Sequence, residues 1–427
     1  MFGMGTTIRF LASKFISTLG NASAAVVLPL VLLAITGDPL AAGTLALACG
    51  VPQFLAGIFG GALLDRFNRR NVSVISDFIS AACVAALPIV EMTAGLNLGW
   101  FILFGVLGAI GDIPGMTARS VLLPSVTERD GLDLQRFVGI SQAMDSLAVI
   151  VGPALAAVLI GTIGGIPAFW VTAGLSLCAA LITLSLPRSI GTIKVDETPV
   201  VSDTTTGSLL SSTLASLKVG IKVMFRTDGI ITAAILLSTA MTMVIGSYQG
   251  LVLPVYFTEL NQPERLGYVL SALSLGLLIG PLVYAALTEK LKRRTWFLIS
   301  MVGMVLGMGI MAALPAYPVL LFGAFFAGLT CGPFSALLGF LVLDKVPEEN
   351  RGAVFGFQNS FLLVASPLAV FGSSILVTIL GTQFASWVLF GFWVLMTIVA
   401  LNNRSMKRLD EEEHQQNQSV HEAAISE

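Results

Sequence analysis

Long apolar runs separated by short polar stretches make up most of the chain. A helix that crosses a bilayer needs about 20 apolar residues. Runs of that kind occupy roughly 9–36, 42–64, 72–92, 99–123, 136–160, 166–187, 229–257, 267–288, 296–314, 319–343, 353–380 and 383–402. The runs stay apolar throughout, whereas the strands of a membrane barrel alternate over ~10 residues. The pattern therefore predicts an all-α membrane protein of about twelve transmembrane helices. Composition agrees, since 55% of the 427 residues are hydrophobic and 11% charged, against roughly a quarter charged in a soluble domain.

The basic residues predict the orientation. With an even number of spans and the N-terminus inside, about 22 of the 23 Lys and Arg fall on one side, Arg265 being the exception. Both termini are expected in the cytoplasm, and the protein in the bacterial cytoplasmic membrane as a multi-pass chain. The net charge of −2 is uninformative about partners because the charges sit mainly in loops. "NASAA" (21–25) offers small residues in the pattern of a cleavage site, but the apolar run continues to Ile35 and reads as a retained helix. Cys49, Cys83, Cys178 and Cys331 are scattered singly through apolar spans, with neither disulfide nor metal spacing.

Four regions are expected: a six-helix bundle over 1–187, a cytoplasmic linker over 188–228, a second six-helix bundle over 229–402, and a disordered polar tail over 403–427. Within the linker, "LLSSTLASLKVGIKVMFR" (209–226) spaces Leu210, Leu214, Leu217 and Ile221 for one helix face and Lys218, Lys222 and Arg226 for another. Such a helix lies on a membrane surface. The two bundles repeat each other. "AVVLPLV" (25–31) matches "GLVLPVY" (250–256), and Asp65-Arg66-Phe67-Asn68-Arg69-Arg70 matches Glu289-Lys290-Leu291-Lys292-Arg293-Arg294, both at an offset near 224 residues. Gly152-Pro153 and Ser366-Pro367 correspond at a smaller offset. Two parallel repeats enclosing a site near the midplane are a transporter architecture.

"GGALLDRFNRR" (60–70) resembles the loop signature of the major facilitator superfamily, G-x-L-a-D-r-x-G-R-K/R, at Gly61, Leu63, Asp65, Arg66, Arg69 and Arg70. Asn68 stands where the family has Gly, and Asn tolerates the left-handed backbone of a tight turn. "AVIVGPALAA" (148–157) resembles the antiporter motif g-x-x-x-G-P-x-x-G-G at Gly152 and Pro153, with alanines for the remaining glycines. "GMTARSVLLPS" (115–125), "IVGPALAAVLIGTIGGIPAFWVTA" (150–173) and "LPVYFTELNQPERLGY" (253–268) are most similar to actinobacterial multidrug-efflux transporters of the Tap type. The resemblance implies the major facilitator fold and proton-driven efflux of amphipathic drugs, tetracycline-like compounds among them, by alternating access. It implies no cofactor beyond the proton gradient.

An antiporter needs a group that binds and releases a proton, and a buried carboxylate suits that task. Asp112 and Asp145 stand out inside apolar spans. Asp145 shares a helix face with Gln142 and Gly152, and either exchanges a proton or makes a fixed contact with another helix. Asp112 sits where Gly111, Pro114 and Gly115 weaken the helix; it either binds a proton or a cationic substrate, or satisfies the loosened backbone groups or pairs with Arg119. Expected cavity residues are Asn21, Gln142, Met241, Tyr248, Gln249, Tyr256, Gln358 and Asn359, which combine amides, amphipathic rings and soft methionines suited to a partly apolar ligand. The loop residues Gly61, Asp65, Arg66, Arg69 and Arg70 are expected to gate the inner face, Asp65 pairing with the start of span 11 and with Arg119. Glu289, Lys290, Arg293 and Arg294 repeat the loop in the second half.

No phosphate-binding G-x-x-x-x-G-K-[ST], H-E-x-x-H or G-x-S-x-G is present, so neither a nucleotide-driven pump nor a membrane enzyme is supported. The expected partners are a small amphipathic substrate and the bilayer, with no nucleic acid, and a monomer is expected. The alternatives are an exporter or flippase of a physiological lipid or siderophore-like amphiphile, and a non-transporting receptor or scaffold.

Overall fold

In a bilayer every backbone polar group must be satisfied internally, so each apolar run closes into a helix. The computed structural model describes residues 4–64, 67–131, 133–192, 229–287, 290–345 and 348–402. Its described residues form twelve helices long and apolar enough to span a membrane. They are α1 (Met4–Thr36), α2 (Pro39–Leu64), α3 (Arg69–Thr93), α4 (Leu98–Asp130), α5 (Leu134–Ile163), α6 (Gly165–Leu184), α7 (Gly229–Glu259), α8 (Glu264–Leu287), α9 (Arg293–Ala312), α10 (Tyr317–Lys345), α11 (Glu348–Leu380) and α12 (Thr382–Asn402).

Short polar residues start several of these helices. The Asn97 side chain accepts from the N–H groups of Gly99 (2.9 Å) and Trp100 (3.3 Å) at the head of α4. Asp133 accepts from Arg136 N–H (2.7 Å) at the head of α5. Internal prolines do not end the helices: α4 runs through Pro114 and Pro124 to Asp130, well past the expected boundary at 123. Gly111 and Gly115, read from sequence as weak points, are instead where α3 approaches. Ser76 donates to the Gly111 carbonyl (2.8 Å), and a Cβ at Gly115 would strike the Ser76 side chain. α7 alone departs from regular geometry, through a π turn at Tyr248–Val252.

By contacts the chain forms two compact units. One holds α1–α6 together with Gly246–Ser271 and Ser366–Thr382. In it α3 packs along α4 and α6, α1 along α5 and α6, and α2 along α4. The C-terminal part of α7, Leu253–Glu259, lies on α1 and its π turn against α2. A close approach joins α5 to the start of α8: the Pro153 carbonyl and Ala157 occupy the space that a Cβ on Gly267 would need, and Ser271 donates to the Ile150 carbonyl (2.6 Å). Phe10, Leu122, Val126, Phe137, Leu186 and Ile190 form an apolar cluster that seats the turn Arg188–Gly191 after α6. The second unit holds the remaining parts of the later helices. There Trp393 meets Phe334 edge-on (6.0 Å), Phe334 meets Phe297 (6.1 Å), and Met301, Met304, Met308 and Met311 of α9 are buried.

Candidate functional site

Polar side chains of α1 reach α3, α4 and α5. Lys14 Nζ lies 2.7 Å from Asp145 Oδ2 on α5 and 2.5 Å from Ser141 Oγ. Three residues on, nearly one helical turn, Ser17 Oγ donates to Asp77 Oδ1 on α3 (2.9 Å) and accepts from the Arg119 guanidinium of α4 (2.8 Å). Arg119 also forms an ion pair with Asp77 Oδ2. Ser23 then donates to the Gly152 carbonyl of α5 (3.0 Å), where a Cβ on Gly152 would collide with Ala22. Lys14, Ser17, Asp77 and Arg119 are all buried. Charges removed from water require partners and further hydrogen bonds, and Ser17 and Ser141 supply them here.

Asp77 was not anticipated as an interior acid. It is the sixth residue of the run 72–92, as Lys14 is the sixth of the run 9–36. Arg119 likewise looked close to the end of span 4 and was assigned to the gating loop. The continuation of α4 to Asp130 places it inside the bundle, bound to Asp77 and Ser17.

Among the described residues of this interior, two cations face three acids. Lys14 takes Asp145 and Arg119 takes Asp77. Asp112 has no cation at ion-pair distance, and the pairing with Arg119 considered from sequence does not form. Asp112 is half-buried beside Ser80 and Cys83. It faces a cavity of about 320 Å³ inside the first unit, together with Asn21, Cys49 and Gln53. A second cavity of about 680 Å³ lies where α1 ends, with Thr258 and Asn261 as its polar lining.

The remaining expected residues are dispersed. Gln142 is exposed on α5. Tyr248 is fully buried at the π turn, and Gln249 and Tyr256 are half-buried nearby on α7. Met241 and Gln358 belong to the second unit. There Met241 Sδ lies 3.2 Å from Cys331 Sγ, and Gln358 Oε1 is buried with no hydrogen-bond partner among the described residues. Pro153 contributes its carbonyl to the α5–α8 contact. Gly61 falls within α2. Asp65, Arg66, Glu289, the side chain of Asn359, the 209–226 segment and the 403–427 tail lie outside the described residues.

The loop after α2 departs from the expectation at two residues. Asn68 has φ −59° rather than a left-handed backbone. Its side chain caps α3 by accepting from Asn71 N–H (3.3 Å) and donates to the Arg188 carbonyl (3.2 Å). A glycine would supply neither bond. Arg70 is buried and donates to the carbonyl of Leu184, the last residue of α6. A guanidinium there satisfies an orphan carbonyl and opposes the negative end of the helix. Arg69 is half-buried, Lys290 is exposed, and Arg293 and Arg294 open α9.

A family model described as Major Facilitator Superfamily matches residues 10–248 and again 235–424. The chain belongs to the major facilitator superfamily. Over 411 residues it is 31% identical to the multidrug efflux pump Tap of Mycolicibacterium fortuitum, a match that covers 95% of this chain and 97% of that one. It is 24% identical over 367 residues to macrolide efflux protein A of Streptococcus pyogenes, covering 85% of each. Solved structures share the fold at lower identity. The nucleoside transporter NupG has a TM-score of 0.72 at 14% identity, covering 92% of this chain and 98% of its own. The xylose transporter XylE from E. coli has a TM-score of 0.66 at 13% identity, covering 95% and 98%. As a major facilitator protein the chain is a multi-pass transporter of the bacterial inner membrane and not an enzyme.

Proposed function

We propose that this chain is a proton-coupled exporter of amphipathic small molecules, working by alternating access with both termini in the cytoplasm. The observation that carries the reading is the interior charge count: two ion pairs, Lys14–Asp145 and Arg119–Asp77, and a third acid, Asp112, that opens on a cavity without a cation. An acid in that position exchanges a proton without first breaking an ion pair. Asp145 acts differently, because protonating it releases Lys14 and so loosens α5 from α1. The near full-length similarity to pumps named for multidrug efflux supports the direction of transport.

The test is transport in proteoliposomes under an imposed pH gradient, with labelled amphiphiles that include tetracycline. The expected result is uphill movement that collapses when the gradient is dissipated. Asp112→Asn combined with Asp145→Asn should abolish the coupling and leave only downhill flux. Gradient-driven accumulation by that double variant overturns the proposal.

A further inference from the structure

We propose that the turn after α6 is the floor of a lipid site, where Arg9, Arg129 and Arg188 hold the phosphate of an anionic phospholipid. The lipid comes from the leaflet on the side of the N-terminus. The proposal goes beyond the export reading and does not depend on what the protein carries.

Three helices send cations to this one short segment. Arg9 of α1 donates to the Ser185 carbonyl (3.4 Å), and Arg129 of α4 donates to the Ser189 hydroxyl (2.9 Å). Arg70 of α3 donates to the Leu184 carbonyl and lies near enough to Arg188 for the two charges to repel. Arg188 belongs to the turn itself and is exposed, and its side chain makes no hydrogen bond among the described residues.

Like charges gathered in this way raise the energy of the fold unless something neutralises them. No carboxylate of the described residues stands at ion-pair distance from Arg9, Arg129 or Arg188. The acids at this end are engaged. Asp130 accepts from the N–H (2.8 Å) and the hydroxyl (2.6 Å) of Thr7, Asp133 caps α5, and Glu128 has a contact of its own. Arg9 and Arg129 each use one nitrogen on the turn and are exposed. A guanidinium has more donors than that, so the rest are open to a ligand.

The surroundings of the arginines decide the kind of anion. Ile8 stands next to Arg9, and Leu177, Leu181 and Leu184 follow at helical spacing along α6 to the residue before Ser185, all with exposed side chains. On a spanning helix such a row faces acyl chains. A phospholipid therefore meets both halves of the site, its phosphate on the guanidinium groups and its chains along the leucines. A soluble anion uses only the first half, and a zwitterionic lipid brings an ammonium into a cluster of cations. Guanidinium forks match phosphate oxygens two at a time. The leaflet beside the basic loops is also the one with the negative surface potential.

The test is native mass spectrometry of the full-length protein with dioleoylphosphatidylglycerol, dioleoylphosphatidylcholine or inorganic phosphate, with the unfolding temperature measured in the same detergent. Phosphatidylglycerol is expected to bind more tightly than phosphatidylcholine and to raise the unfolding temperature. An arginine at a charged membrane surface contributes about fivefold in affinity. Arg188→Gln, which breaks no hydrogen bond among the described residues, should weaken phosphatidylglycerol binding by about that factor. Arg9→Gln, Arg129→Gln and Arg188→Gln together should weaken it about a hundredfold and leave phosphatidylcholine unchanged. The three corresponding Lys substitutions should keep most of the binding, which separates lost charge from lost structure. Lys292→Gln, at an exposed cation before α9, should change nothing. Equal binding of the two lipids, phosphatidylglycerol binding that survives the triple Gln variant with retained helicity, or an equal loss in Lys292→Gln overturns the site. Displacement by equimolar inorganic phosphate makes it a free-anion site. Tighter phosphatidylglycerol binding after Asp410→Asn with Glu411→Gln, Glu412→Gln and Glu413→Gln makes the chain's own acidic segment the occupant. Either result overturns the lipid assignment.

Discussion

Arg119 and Asp77 show what one buried pair does for the first bundle. Removing one partner of such a pair leaves an uncompensated charge, which typically costs about 3–5 kcal/mol, whereas replacing both by apolar residues is often close to neutral. Arg119→Ala is therefore expected to lower the unfolding temperature in detergent sharply, and Arg119→Met with Asp77→Leu should recover most of the loss. Equal destabilisation by the single and double variants would show that the guanidinium packs without depending on Asp77. Lys14 and Asp145 should behave otherwise under transport assay. Lys14→Met is expected to leave Asp145 without its counter-ion and to change the pH dependence of transport, while Ser141→Ala removes only a supporting hydrogen bond. A pH profile unmoved by Lys14→Met would show that the pair is a static contact.

At the level of elements, the loop after α2 is joined to the end of α6. Asn68 caps α3 and holds Arg188, and Arg70 holds Leu184, so two neighbouring residues tie α3 to the exit of α6. Loss of an Asn N-cap to Ala costs about 1 kcal/mol, and Asn68→Ala should show that loss in chemical denaturation. Asn68→Asp should recover the cap but not the bond to Arg188. The α5–α8 contact is sterically tighter. Because the Pro153 carbonyl and Ala157 fill the space beside Gly267, Gly267→Val is expected to force these helices apart and reduce transport while the protein still inserts in the membrane. Both joints involve residues that the sequence had flagged, but the roles differ. Asn68 was read as a substitute for a turn glycine because backbone tolerance is a local property, whereas the carbonyl it reaches belongs to a residue far along the chain.

For the molecule as a whole, alternating access requires contacts between the two sequence repeats to form and break. At the end where α5 finishes and α8 begins, a Cβ built on Gly161 would lie 3.4 Å from Glu264 Cβ, close to the ~3.5–4.5 Å of a disulfide. Gly161→Cys with Glu264→Cys, in a background where the native cysteines are serines, is expected to cross-link under mild oxidation and to stop transport until a reductant is added. Transport that continues with the cross-link formed would show that this contact persists through the cycle. The sequence by itself determined the twelve spans and the superfamily. Those depend on run length, on the cost of placing charge in hydrocarbon, and on short signatures, all of which are properties of nearby residues. Only the tertiary structure decided which charges are spent. Nothing in the sequence set Lys14 or Asp77 apart, and Asp112 and Asp145 looked alike. Ion pairing depends on distances between helices remote in sequence, and those distances set Asp145 against Lys14 and left Asp112 facing the cavity.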